Sequence, residues 1–233
     1  MHRRAAELLD QAGEEPERVA AHLDIVPPAR DPFVVDTLRT AGDRAIVRGA
    51  PEAAARYLRR ALAEPPDEEY RVDTLLELGL AEQRVDIAAA AEHLAEALES
   101  IEEPLRRARV ALELGRSLFR LNRGPEAVRV LDDAIMRLED SEPELRELLE
   151  AELINSAGFD TAVLDVSRER ILRIDEDALV GEVGSAVMSA TLRYFDARVG
   201  KDREKAARLA EPPVIDALIE SMPSVAISCA ATA

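Results

Sequence analysis

Apolar positions along the chain recur every three to four residues, the period of an amphipathic helix, and no segment alternates with the period of two that marks a half-buried strand. The pattern predicts an all-α fold. Proline punctuates it: Pro16, Pro32, Pro51, Pro66, Pro104, Pro125 and Pro143 each stand near the start of an apolar-periodic run. A missing N–H is harmless in a first helical turn, so these prolines mark beginnings rather than breaks. The runs between them are about 11 to 20 residues long, the size of globular helices rather than of a coiled coil.

Residues 2–28 predict two short helices, His2 to Ala12 and Pro16 to Val26, broken by Gly13 and ended by Pro27-Pro28. Three segments then align with one another. Glycines fall at Gly42, Gly79 and Gly115, and Ala-Leu or Ala-Ile pairs begin at Ala61, Ala97 and Ala134, so both markers recur every 36 or 37 residues. This is a helical-hairpin repeat. Glycine inside a helix costs about 1 kcal/mol against alanine unless a neighbouring backbone must come close. Ala54, Ala90 and Ala127 on the second helices are the expected other side of that crossing. The turn Gln83-Arg84-Val85-Asp86 reads as one residue shorter than its counterparts. Beyond Pro143 the helical pattern runs to about Asp160 and resumes over Ala162 to Arg173, Glu182 to Val199 and Lys201 to Leu209, with the repeat markers fading.

The Gly and Ala-Leu register resembles the tetratricopeptide repeat family, whose unit of about 34 residues places small residues where its two helices cross. The resemblance implies tandem antiparallel helical hairpins in an α-solenoid. It divides the chain into an N-terminal helical pair at 1–30 that closes a preceding domain, three repeats at 31–139, and degenerate helical repeats at 140–233 that end truncated. The segments His2 to Leu9, Glu15 to Leu23 and Arg48 to Leu62 further resemble the helical arm of large MalT-like, ATP-binding LuxR-type bacterial transcriptional regulators. In that family an ATPase module precedes the arm, the repeats sense an inducer or partner, and a helix-turn-helix follows. The resemblance therefore implies a sensor segment from the middle of such a regulator. A free-standing adaptor binding a peptide in its concave groove is the alternative.

Composition narrows the chemistry. Forty alanines, four phenylalanines, three tyrosines and no tryptophan predict a core made by close helix approach. A net charge of −17 disfavours nucleic-acid binding, which draws on clustered cations, and adhesion to anionic membranes. Of the 30 cationic residues only Lys201 and Lys205 are lysines. The single Cys229 allows no internal disulfide and is expected to be a buried, inert thiol. With no signal-peptide pattern and no apolar run near the ~20 residues of a membrane helix, a cytoplasmic location is expected.

No phosphate-binding glycine motif or nucleophile elbow occurs, and His2, His22 and His93 are scattered, so neither a cofactor, a metal nor an enzymatic activity is expected. The acidic run from Glu139 to Glu152 predicts a solvated face whose first-turn carboxylates favour the helix dipole. Val166 to Leu172 superficially matches the opening of a LuxR-type helix-turn-helix, but the acidic Asp175-Glu176-Asp177 follows where a basic recognition helix is required. By position in the repeat, the concave candidates are Asp36, Arg39 and Asp43, then Asp73, Glu77, Leu80 and Arg84, then Arg109, Glu113, Arg116, Phe119 and Arg120. Arg84, Arg109, Glu113, Arg116, Phe119 and Arg120 are the expected partner-binding set, suited to an acidic or C-terminal peptide, another protein or a small effector. The repeats also offer faces for self-association. The competing expectation pairs Glu113 with its helix neighbours and packs Phe119 against the next hairpin.

Overall fold

A computed structural model describes residues 1–64, 68–138, 142–180 and 182–199. In chain order the helices are α1 (His2–Gln11), α2 (Pro16–Leu23), α3 (Pro32–Val47), α4 (Pro51–Leu62), α5 (Glu68–Glu82), α6 (Ile87–Glu99), α7 (Pro104–Arg120), α8 (Gly124–Arg137), α9 (Pro143–Gly158), α10 (Leu164–Ile171) and α11 (Glu182–Val199). Among the described residues all regular structure is helical. Five of these helices open on the prolines singled out above, and Pro125 is the second residue of α8. Side-chain caps fix the starts of α3 and α7 as well, and that of α6, which has no proline. Asp31 accepts from the Phe33 N–H at 3.1 Å, Asp86 from those of Ala88 and Ala89, and Glu103 from those of Leu105 and Arg106. Pro66, Glu139, Asp140, the expected helix Lys201 to Leu209 and Cys229 lie outside the described residues.

The chain divides into two compact units, Met1–Ile101 and Glu102–Ala233. This division places α1 and α2 together with the first two helix pairs, and the third pair with α9, α10 and α11.

In the first unit α3 packs on α4 and α5 on α6, while α2 packs on α3 and α4 on α5. Ala6, Val19, Ala20 and Leu23 share a core with Val34, Leu38, Ala41, Tyr57 and Ala61, so the N-terminal pair is continuous with the first repeat. Ala45, Ala54, Ala55 and Leu58 then carry the core onward to Leu78 and Ala81.

The glycines account for the closeness. A Cβ on Gly79 would lie 2.6 Å from Leu94 Cγ, and one on Gly115 would lie 2.7 Å from Leu131 Cδ2. At Gly42 the nearest atom, Leu58 Cγ, is 3.0 Å away. The space above each glycine is thus filled by the leucine one turn beyond the expected alanine, whereas Ala54, Ala90 and Ala127 are themselves fully buried.

The connection after α5 departs from the expectation. Three residues link α3 to α4 and α7 to α8, but Gln83 to Asp86 makes four. The shortening falls on α5, which ends three residues after its glycine where α3 continues for five. Left-handed residues turn the other two connections, Gly49 at φ 73° and Asn122 at φ 55°, while the Asp86 cap does that work here.

Two buried carboxylates tie the first unit. Glu64, just past α4, accepts from the backbone N–H groups of Ala29 and Asp31 at 2.7 and 3.3 Å and from Arg60 at 2.8 Å. Arg60 also donates to the Val26 carbonyl at 2.6 Å, so the Pro27-Pro28 connection is held from both sides. Burial raises the Glu64 carboxyl, but these donors outweigh it and bring it below its ordinary value. Glu82, fully buried at the end of α5, takes Arg59 of α4 at 2.6 Å and His93 of α6 at 2.6 Å.

In the second unit α7 packs on α8, and α9 packs against α7, α8, α10 and α11. A helix contacted by four others has little solvent face left. Glu147 and Glu152 are buried and Glu150 is half-buried, which corrects the solvated face expected for the acidic run. Arg146 donates to the carbonyls of Ile135 and Leu138 and thereby satisfies the C-terminal end of α8. On α10, Arg170 bonds Glu150 at 2.6 Å and also pairs with Asp132, so this arginine of the superficial helix-turn-helix match serves packing within its own unit.

Two outcomes test this account. Gly79→Ala and Gly115→Ala should each destabilise the chain by about 1–3 kcal/mol, because overpacking outweighs the gain of about 1 kcal/mol in helix propensity. Gly42→Ala, with more room, should lie nearest neutral; denaturant unfolding measures the order. The hydrogen bond that His93 donates to the Glu82 carboxylate raises the His93 pKa against the opposing effect of burial. Its stabilisation is therefore complete below the unfolded histidine value near ~6.5 and is lost as pH rises through the higher folded value. A His93→Gln variant should remove that part of the pH dependence of unfolding.

Candidate functional site

The candidate surface of the first unit lies on α3 and α5. Asp36, Arg39 and Asp43 follow one face of α3, and Asp73, Glu77 and Leu80 one face of α5. Arg39 donates to both oxygens of Glu77, at 3.0 and 2.5 Å, stands 3.8 Å from Asp73, and lies over the Tyr70 ring at 5.7 Å. The two helix faces therefore sit side by side and are cross-linked by one guanidinium. Asp36, Asp43, Leu80 and Ile46 remain exposed around this pair. Arg84, assigned by spacing to the same helix, is exposed in the turn after α5.

The other expected residues belong to the second unit and share α7. Arg109, Glu113, Arg116 and Arg120 follow at intervals of four, three and four residues, which puts them on one helix face. Arg109 and Arg120 are exposed, and Glu113 and Arg116 are half-buried and joined at 2.6 Å. Phe119 is committed elsewhere: its ring meets Phe159 edge-on, with centroids 5.7 Å apart. Phe159 in turn stacks on Tyr194 and touches Phe195, so four of the chain's seven aromatic rings form one cluster in this unit. Gly158 admits this cluster, since a Cβ there would occupy the Phe195 ring.

Behind Arg116 several buried polar atoms of α9 lie without close partners. Glu152 is fully buried, and neither of its carboxylate oxygens has a hydrogen-bond partner. Arg116 Nε, also buried and unpartnered, stands 4.0 Å from Glu152 Oε2. Asn155 Nδ2 and Ser156 Oγ, one turn along α9, are buried without partners as well. Burial pushes the Glu152 carboxyl up to about 7; Arg116 and Ser156 pull against this, and the Glu113 carboxylate adds to it. Burial likewise raises Glu150, opposed chiefly by Arg170.

The packing of α1 on α2 brings together two histidines that are twenty residues apart: His2 Nδ1 and His22 Nδ1 are 3.2 Å from each other. Among the described residues no group of three or more His, Cys, Asp or Glu side chains gathers in a way that could hold a metal ion. Nor is any helix of the described residues long and apolar enough to cross a membrane.

Glu64, Glu82 and Glu152 are the residues that periodicity did not single out. Glu64 and Glu82 carried a local signal: each ends or follows a helix, where the macrodipole disfavours an anion and a carboxylate therefore needs a special partner. No protein-family model, curated protein or solved structure matches the chain.

A double-mutant cycle on Arg39→Ala and Glu77→Ala should give a coupling of about 1 kcal/mol in unfolding free energy, the range of a bidentate, partly buried pair. Arg109→Ala, on an exposed position, should change stability by no more than about 0.5 kcal/mol.

Proposed function

We propose that this chain is a non-catalytic recognition segment of tetratricopeptide-like helical hairpins, arranged as an α-solenoid and acting as the sensor region of an ATP-dependent LuxR-type transcriptional regulator in the bacterial cytoplasm. The observation that carries the repeat reading is the glycine-over-leucine contact. It recurs at Gly42 and Leu58, Gly79 and Leu94, and Gly115 and Leu131, each time between the two helices of one sequence repeat. A repeat unit cannot bury its apolar face alone, and stacked units expose extended faces whose usual role is binding. The Arg39–Glu77 pair supports the same reading, since it joins first helices of consecutive repeats.

Each unit offers its own candidate face, the α3 and α5 face in the first and the charged row of α7 in the second, for a protein or peptide segment or a small effector. Because Phe119 is engaged with Phe159, the accessible part of the α7 row is its arginines, Arg109 and Arg120, which favour an acidic partner.

The gene supplies the first test: an ATPase module upstream and a helix-turn-helix downstream, fused in frame, are expected, and stop and start codons at these ends would sink the regulator reading. For the surface, reversing both Arg109 and Arg120 to Glu should weaken capture of a partner pulled down by the unaltered chain about tenfold, roughly 1.4 kcal/mol. Undiminished capture would count against this helix face.

A further inference from the structure

Two carboxylates in the second unit compete for one guanidinium. Arg116 donates to Glu113 at 2.6 Å, while its buried Nε points to no acceptor and lies 4.0 Å from Glu152 Oε2. Glu152 has lost all contact with water, and the hydroxyl of Ser156, one turn along α9, is the one neutral donor that acts on its carboxylate. A carboxyl in such a place is tolerable while neutral; once ionised it must find a donor or leave the interior.

We infer that Glu152 is a proton-operated switch: when it loses its proton, Arg116 swings from Glu113 toward Glu152, and the charge pattern presented by the α7 face changes.

Beside the Ser156 hydroxyl, the surroundings leave Arg116 as the charged group that can respond. From α7 the charged neighbours acting on Glu152 are Arg116 and Glu113. The charged groups that α8 and α10 bring to α9 are already joined there, Asp132 and Arg170 with each other and Arg170 with Glu150. Arg146 of α9 is turned to the α8 carbonyls, and Glu147 accepts from the Val180 N–H at 2.8 Å. Opposite them α11 meets α9 through Val187, Met188 and Tyr194.

Closing 4.0 Å to a charge-assisted bond of about 2.8 Å takes a side-chain movement of about 1 Å, with no helix displaced. A planar guanidinium that turns to serve a buried oxygen loses alignment with the outer one, so Glu113 loses Arg116 as its close partner. The carboxyl pushed up to about 7 by burial places this exchange near neutrality. It also sets the sign of a linked effect. The unfolded chain releases this proton near the ordinary glutamate value and the folded chain retains it, so this group's contribution to stability falls as pH rises between about 4.3 and 7.

The experiment follows Glu carboxyl ¹³C and Arg Nε–H signals of the full chain by NMR from pH 4.5 to 9. Glu152 should titrate near neutrality, and the Arg116 Nε–H signal should move with the same midpoint. In Glu152→Gln that Arg116 movement should vanish, leaving the signal at its low-pH position. In Glu113→Gln, with the competitor gone, the Glu152 proton should be held about tenfold less tightly, one pH unit lower. The inference is overturned if Glu152 titrates in the ordinary glutamate range, if Arg116 does not follow it, or if Arg116 moves unchanged in Glu152→Gln. Should Glu152→Gln not fold, Glu113→Gln decides alone, because its surface-side substitution leaves the interior intact and an unmoved Glu152 midpoint refutes the competition.

Discussion

The contact on which the helix pairs depend is a leucine seated where a glycine has no side chain. At Gly79 and Gly115 the leucine sits closer than any Cβ would permit, so the two helices approach to a distance that alanine could not maintain without displacement. That approach makes the remaining core possible, because residues as small as Ala54, Ala90 and Ala127 can fill an interface only when its walls are near. The scarcity of aromatic residues along the whole chain, seven in 233, suits the same geometry. Around α9 the second unit adds an aromatic cluster of Phe119, Phe159, Tyr194 and Phe195, which a glycine again admits, at Gly158.

Much of the helical layout was legible in the sequence because its signals are local. A proline in a first turn or a glutamate placed to accept two backbone N–H groups acts over a few residues, and α2, α3, α4, α7 and α9 begin where such residues stand. The glycines were legible as crossing points, and the Ala90 carbonyl oxygen does stand 3.4 Å from where a Gly79 Cβ would be, but which side chain fills the space above each glycine depends on how the helices cross, and spacing within one helix does not carry that information. The extra turn residue before α6 went unread for a similar reason, since the Asp86 cap and a left-handed residue are alternative solutions with different lengths.

Buried charge was the least legible feature. A glutamate in an isolated sequence looks solvated, and what makes Glu64, Glu82 or Glu152 interior is a partner 4 to 36 residues away. The α9 sequence is the sharpest case. Its carboxylates alternate with leucines in a way that suits a surface helix, and only the presence of α7, α8, α10 and α11 on its several sides turns them inward. The candidate surface was legible as positions and less so as availability: Arg109 and Arg120 are exposed, and Arg39, Arg116 and Phe119 are engaged in pairs and packing.

Every cationic tie described in both units is made by arginine or histidine, from Arg60 at the Pro27-Pro28 connection to Arg170 between Glu150 and Asp132. The first 200 residues contain no lysine at all. Enzymes that acetylate, methylate or conjugate ubiquitin-like proteins to lysine amines therefore have no side-chain target among these ties. Such marks could be written only at Lys201 and Lys205, leaving the guanidinium links of the two units chemically out of reach of that whole class of control.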